Sequence, residues 1–209
     1  MQHRAVIFDL GGVVLDSPLH AIARFEAAEG IERGFVNRVV VQSAPHGAWS
    51  RLERGELTLE AFYAAFEADC RAAGGAIDAR RLMERIAGGS GPRPAMVAAI
   101  RRIRARGLRT AALTNNWARE DTGAGAGAEL RDLFDAFVES SVVGLRKPDP
   151  RIYELVCAHL EVEPKQAVFL DDIGTNLKAA RALGMATIKV IEPESALAEL
   201  QTLLGFELG

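Results

Sequence analysis

An open α/β sheet is the fold class this sequence predicts, and three observations predict it. Short apolar, β-branched runs stand at residues 4–9, 110–115, 137–142, 167–171 and 187–191. Most are continuously apolar rather than alternating, the pattern of parallel strands covered on both faces. Helical patterns separate the later runs, and strand–helix–strand alternation builds a parallel sheet with right-handed crossovers and helices on both faces.

The elements follow in order. The first run, Ala5-Val6-Ile7-Phe8, stops at Asp9, a charge badly placed for a buried strand and well placed at a strand's carboxyl end. Residues 16–91 then break the alternation. They carry helical stripes around 19–29, 46–54, 58–73 and 78–87, with Thr58 as a capping residue ahead of Phe62, Tyr63 and Phe66. Val39-Val40-Val41 reads as strand or helix. This stretch is a small helical cap inserted after the first strand, and 1–15 with 92–209 form the core. Gly88-Gly89-Ser90-Gly91-Pro92 is its return linker. Pro94 to Gly107 is a helix with arginines towards its carboxyl end. Asp149-Pro150 is an N-cap with proline at the first helical position, opening a helix to about Leu160. Further helices run from Thr175 to Leu183, stopped by Gly184, and from Pro193 to Leu204, stopped by Gly205. Gly123-Ala124-Gly125-Ala126-Gly127 follows no strand directly and lacks a Lys-Ser/Thr ending, so it reads as a surface loop rather than a phosphate loop.

The totals exclude several functions. A chain of 209 residues with 49% hydrophobic and 25% charged residues suits a globular enzyme. Its net charge of −3, with no basic run, gives nucleic acid no footprint. No apolar stretch approaches the ~18 residues of a membrane span. Two distant cysteines, Cys70 and Cys157, and no signal-like start make the cytoplasm the expected location. A homodimer is left open.

The chemistry collects where open α/β sheets bind ligands, at the strands' carboxyl ends. Asp9 ends the first strand and Thr114-Asn115-Asn116 the second. Arg146-Lys147-Pro148 follows the third, and Asp171-Asp172 ends the fourth. Singly, each reads as a cap, a turn or solvated surface. Together they assemble carboxylates, a hydroxyl and an ammonium, the parts of a phosphoryl-transfer site. A carboxylate such as Asp9 can attack phosphorus. Mg²⁺ on Asp9 and Asp172 relieves its repulsion from a dianionic ester, and Lys147 adds a second positive charge. Thr114, Asn115 and neighbouring N–H groups can hold the phosphoryl oxygens. Asp171 binds metal through water or supports the ligands.

Phe8-Asp9-Leu10-Gly11-Gly12-Val13 resembles the first motif of the haloacid dehalogenase-like superfamily, Thr114 its second, Lys147 its third and Asp171-Asp172 its fourth. Residues 143–150 and 169–178 are similar to the phosphatase-like domains that open some epoxide hydrolases and acyl-CoA dehydrogenases. The likeness spans nearly the whole chain, least in the insertion, so such a domain is expected here alone. It implies a Rossmann-like core with a cap. It also implies Asp9 as nucleophile, Thr114 and Lys147 on the phosphoryl group, and Mg²⁺ on Asp9, Asp172 and the main-chain carbonyl of Gly11. Gly11 is the departure, because family phosphatases carry an acid/base Asp there. Such help is typically ~10²–10⁴-fold, or about 3–5 kcal/mol of barrier.

Three readings follow. The first is a Mg²⁺-dependent phosphatase for a small phosphorylated metabolite, slow or adapted to an activated leaving group. In that reading Asp16 or His46 could be recruited in place of the lost acid. The second is a metal-independent dehalogenase, against which the Asp171-Asp172 pair argues. The third is a binding or dimerisation module, supported by Gly11. Trp49, Arg51 and Trp117 are candidate substrate contacts, with packing the competing role for the two tryptophans and solvated surface for Arg51.

Overall fold

A computed structural model describes residues 3–88, 91–118 and 130–208. Its core is a five-stranded, all-parallel sheet in the order β3-β2-β1-β4-β5. The strands are β1 (Ala5–Phe8), β2 (Arg109–Thr114), β3 (Ala136–Glu139), β4 (Ala167–Asp171) and β5 (Ala186–Lys189). β1 lies at the centre, with Ile7 opposite Ala111 on one side and Phe169 on the other. Every residue of β1 is fully buried, because alternate side chains feed two apolar layers. Val6 and Phe8 join Ile100, Ile103 and Leu200 on one face, while Ala5 and Ile7 join Ile152, Val156 and Leu177 on the other. The continuous apolar runs in the sequence are thus explained.

Five helices lie between β1 and the rest of the core: α1 (Pro18–Ala28), α2 (Phe35–Ser43), α3 (Ala48–Glu53), α4 (Leu59–Ala72) and α5 (Ala79–Ala87). They enclose an apolar cluster of their own. At its centre Phe62 and Phe66, one turn apart on α4, stack with ring centroids 5.2 Å apart, and Trp49 stands edge-on to both. Two of these helices begin at glycines that offer no side-chain cap, and a carboxylate from a neighbouring helix supplies the missing acceptor. Glu26 of α1, 2% exposed, accepts from the N–H groups of Gly34 (2.6 Å) and Val36 (2.9 Å) at the start of α2. Asp69 of α4 accepts from Ala48 N (2.8 Å) at the start of α3.

After the insertion come α6 (Pro94–Ala105) before β2, α7 (Ser140–Val143) after β3, α8 (Pro150–His159), α9 (Gly174–Ala182) and α10 (Pro193–Leu204). Asp149 caps α8 through Arg151 N (3.0 Å), as expected. One expectation needs correction. The third strand ends at Glu139, not at residue 142. Ser140-Ser141-Val142-Val143 forms the helical turn α7, tied down by Ser140 Oγ accepting from Asn116 N (2.9 Å) and closed by Gly144 at φ +70°. Val39-Val40-Val41 is helical, within α2. The 123–127 glycine loop and part of the return linker lie outside the described residues. No helix among the described residues is long and apolar enough to cross a membrane. Cys70 and Cys157 are free and buried.

Candidate active site

The chain leaves β1 towards β2 on one side and later returns to β4 on the other. The carboxyl ends of β1 and β4 therefore flank the crevice where strand order reverses. Asp9 leaves β1 directly into it and is anchored by its own N–H donating to Leu170 O (2.9 Å). Asp171 is the last residue of β4 and Asp172 the next; Thr114 is the last residue of β2. Lys147 arrives from the segment after α7, fully buried but for 1% of its side chain.

The structure brings Asp9, Lys147, Asp171 and Asp172 together. Lys147 Nζ donates to Asp9 Oδ1 (2.9 Å) and to Asp171 Oδ2 (2.7 Å). One oxygen from each of Asp9, Asp171 and Asp172 lies within 4.8 Å of the others. Three carboxylates against one ammonium leave an excess of two negative charges. Burial pushes the Asp9 carboxyl up to about 8, with Lys147 pulling against it and Asp171 and Asp172 adding to the rise. Burial also works against the Lys147 charge, but Asp171 and Asp9 outweigh it and raise its pKa. Asp172 is raised by burial and by Asp171, with Ser17 opposing. The ammonium is held charged while a carboxylate is driven towards its neutral form, the mark of a site short of positive charge.

A divalent cation fits that deficit. Clustered carboxylate oxygens are the donors Mg²⁺ prefers, and its two charges match the excess. Asp171 is the least available ligand. Its Oδ1 accepts from Ile173 N (2.7 Å), its Oδ2 from Lys147, and Asn176 Nδ2 reaches both oxygens (3.2 and 3.1 Å). Asp9 and the part-exposed Asp172 are the more available carboxylates of the three.

The two adjacent glycines differ. Gly12 has φ +81°, and a Cβ there would stand 2.2 Å from Asp172 Oδ2, so the carboxylate occupies the space a side chain would need. Gly11 has no such strain. A Cβ on it would meet only Pro18, with Cδ at 3.2 Å, a contact that a small shift relieves.

The other predicted residues divide. Thr114 is 6% exposed, and its hydroxyl makes only a long bond to Asn115 O (3.4 Å), readily exchanged for another acceptor. Asn115 lies beside Lys147. Its side chain clasps the Lys147 main chain, Nδ2 donating to Lys147 O (3.0 Å) and Oδ1 accepting from Lys147 N (2.8 Å). Both ends of its amide thus hold the Lys147 main chain. Asp16 faces Arg93 (3.9 Å) and His46 sits in the exposed turn before α3; neither is bonded to the Asp9 cluster. Trp49 and Trp117 pack on each other at 6.1 Å within the insertion's apolar cluster, and Arg51 pairs with Glu56 at 3.7 Å.

Sequence reasoning gave no role to Ser17 or Asn176. Ser17 Oγ donates to Asp172 Oδ2 (3.3 Å) and accepts from Leu19 N at the start of α1 (3.4 Å). Asn176 holds Asp171 and accepts, at its main-chain carbonyl, from Tyr153 Oη (3.0 Å). Asn176 stands four residues after Asp172 on the first turn of a helix, a spacing that aims a side chain back at the strand end and could have drawn attention. Ser17 gave no comparable signal. Two surface hollows, one lined by Arg104, Arg109 and Asp135 and one by Arg24, Phe25 and Arg85, include none of the clustered residues.

A central-strand aspartate in a charged crevice at a switch point is the construction of the Rossmann-like hydrolases. The chain belongs to the haloacid dehalogenase-like hydrolase family, whose profile matches residues 3–184. It is 39% identical over 210 residues to mouse acyl-CoA dehydrogenase family member 10, covering 99% of this chain and 20% of that protein. It is 37% identical over 221 residues to pig bifunctional epoxide hydrolase 2, covering 100% of this chain and 40% of that one. The chain thus spans well under half the length of these relatives. Among solved structures it resembles a Bacteroides thetaiotaomicron family enzyme in complex with magnesium and inorganic phosphate. That match has TM-score 0.60 and 19% identity, over 90% of this chain and 93% of the other. It also resembles the L-2-haloacid dehalogenase of Xanthobacter autotrophicus with chloropropionic acid covalently bound. Here the TM-score is 0.62 and the identity 22%, over 96% and 83% of the two chains.

Proposed function

We propose that this chain is a magnesium-dependent phosphatase acting on a small phosphorylated metabolite through Asp9. The observation that carries the reading is the Asp9 carboxylate lying 2.9 Å from a buried ammonium and within ligand distance of Asp172, in a site short of positive charge. Asp9, Asp172 and the Gly11 carbonyl would hold the Mg²⁺, which when bound supplies the charge that lets an anionic nucleophile approach a phosphate dianion. Asp9 attacks phosphorus with one oxygen, and the bond to the leaving oxygen breaks with its electron pair departing on that oxygen. Lys147 stays charged beside Asp9 and balances the equatorial oxygens, while the Thr114 hydroxyl turns from Asn115 to donate to one of them. Water then attacks the aspartyl phosphate and releases inorganic phosphate. Helices α1–α5 act as a cap that closes over the crevice and selects the substrate.

Gly11 presents no proton donor to the leaving group. The site therefore favours phosphorylated compounds whose leaving group departs without one, such as acyl phosphates, sugar 1-phosphates or aryl phosphates. The same glycine is what favours a second reading, a binding module that keeps the fold without turnover.

The test is phosphate release from aryl and acyl phosphates, with and without Mg²⁺, by the parent, Asp9→Asn and Gly11→Asp. Parent turnover that needs Mg²⁺ and is lost in Asp9→Asn supports the reading. A silent parent with activity gained in Gly11→Asp supports the lapsed module. Halide release from a 2-haloacid without metal overturns both.

A further inference from the structure

The helical insertion reaches the site's ammonium by a route outside the crevice. Glu53, the last residue of α3, leaves only 10% of its side chain exposed. Its Oε1 accepts from Trp49 Nε1 (3.1 Å) and its Oε2 from Arg146 Nε (2.6 Å). Arg146, 18% exposed, is the residue before Lys147. Two further contacts join the same parts. Gly55, at φ +71°, approaches the α7 residue Ser141 so closely that a Cβ would stand 2.3 Å from its carbonyl oxygen. Trp117, two residues after Asn115, packs on Trp49. The end of α3 is therefore seated on both segments that carry the Asn115–Lys147 clasp.

We propose that Glu53 is a positioning residue for Lys147, acting through Arg146. The Lys147 ammonium has to meet two carboxylates at 2.9 and 2.7 Å, which demands a fixed main chain. Asn115 fixes that main chain from the core side, with both amide groups. The segment begins at Gly144, at φ +70°, which brings no side chain of its own to hold it. Arg146 is its anchor on the other side, and a guanidinium bound through Nε to a carboxylate that a tryptophan also orients has little freedom. The insertion thus sets where the ammonium stands. A rim ion pair would be screened and weak, but this one is largely withdrawn from water.

The kinetic arm of the test rests on the phosphatase reading; the exchange arm does not. Glu53→Ala, Glu53→Gln, Arg146→Ala and the Glu53→Ala/Arg146→Ala pair are compared by hydrogen–deuterium exchange and by Mg²⁺-dependent release of phosphate from an aryl phosphate. Expected is amide exchange about ten-fold faster over residues 144–149 in either alanine variant, with α4 unchanged. kcat should fall about ten-fold with KM moving less, the Gln variant should lie between, and the pair should be no worse than the worse single change. Exchange over 144–149 that stays at the parent rate, or rises equally in α4, overturns the proposal, as do losses that add in the pair. If the parent has no turnover, the phosphatase reading fails and exchange alone decides. If Glu53→Ala does not fold, Glu53→Gln and Arg146→Ala carry the same comparison.

Discussion

Two carboxylates of the helical insertion, Glu26 and Asp69, end on helix starts; those of the crevice crowd around an ammonium. Glu26 and Asp69 each accept from N–H groups at a helix start that lacks its own cap, so their charge is matched by backbone dipoles. Asp9, Asp171 and Asp172 instead crowd around one ammonium, and Asp9 is driven up to about 8 by burial and by its acidic neighbours. The first arrangement is a solution to a folding problem. The second makes a folding problem, one that a ligand of opposite charge would relieve. Buried charge by itself therefore says little about function; what it is bonded to says a good deal.

Substitutions can break this contrast, beginning with the largest effect. Asp9→Asn should reduce phosphate release to background while leaving the protein folded. In metal-free urea titrations Asn should gain on the parent as pH rises from about 4 to about 8. A carboxyl whose folded pKa is raised from 3.8 to about 8 loses stability across that window and Asn does not. Lys147→Met should cost about 3 kcal/mol or more in urea unfolding, because Asp9 and Asp171 lose their shared partner. Gly12→Ala should cost about 2 kcal/mol from left-handed strain alone. By crowding Asp172 it should also weaken Mg²⁺ binding measured by calorimetry. Glu26→Ala should cost about 1–2 kcal/mol through the uncapped α2, with kcat at the parent value. If Glu26→Ala instead removed turnover while Asp9→Asn removed stability, the contrast would be wrong.

The core was largely legible because its chemistry stands at the ends of apolar runs. Asp9, Thr114 and Asp171 are each the residue at which such a run meets the crevice. Ser140-Ser141-Val142-Val143 misled because β-branched residues favour a strand, whereas the Ser140 hydroxyl ties this turn to Asn116 and Gly144 closes it. Asn115 stood out in the sequence as a strand-end residue, but its hold on the main chain 32 residues away was not legible. Ser17 and Glu26 were illegible for the same reason: a lone polar side chain has no pattern of its own, and its meaning lies in the distant group that it meets.

Gly11 and Gly12 look interchangeable on paper and have opposite evolutionary freedom. Gly12 is pinned by its backbone and by Asp172, so nearly every change there disturbs the crevice. Gly11 faces only the ring of Pro18, which can yield. Where the Gly11 codon ends in a pyrimidine, a single base change turns it to aspartate. A descendant of this chain could thus gain a carboxylate at this position in one step without rebuilding its loop.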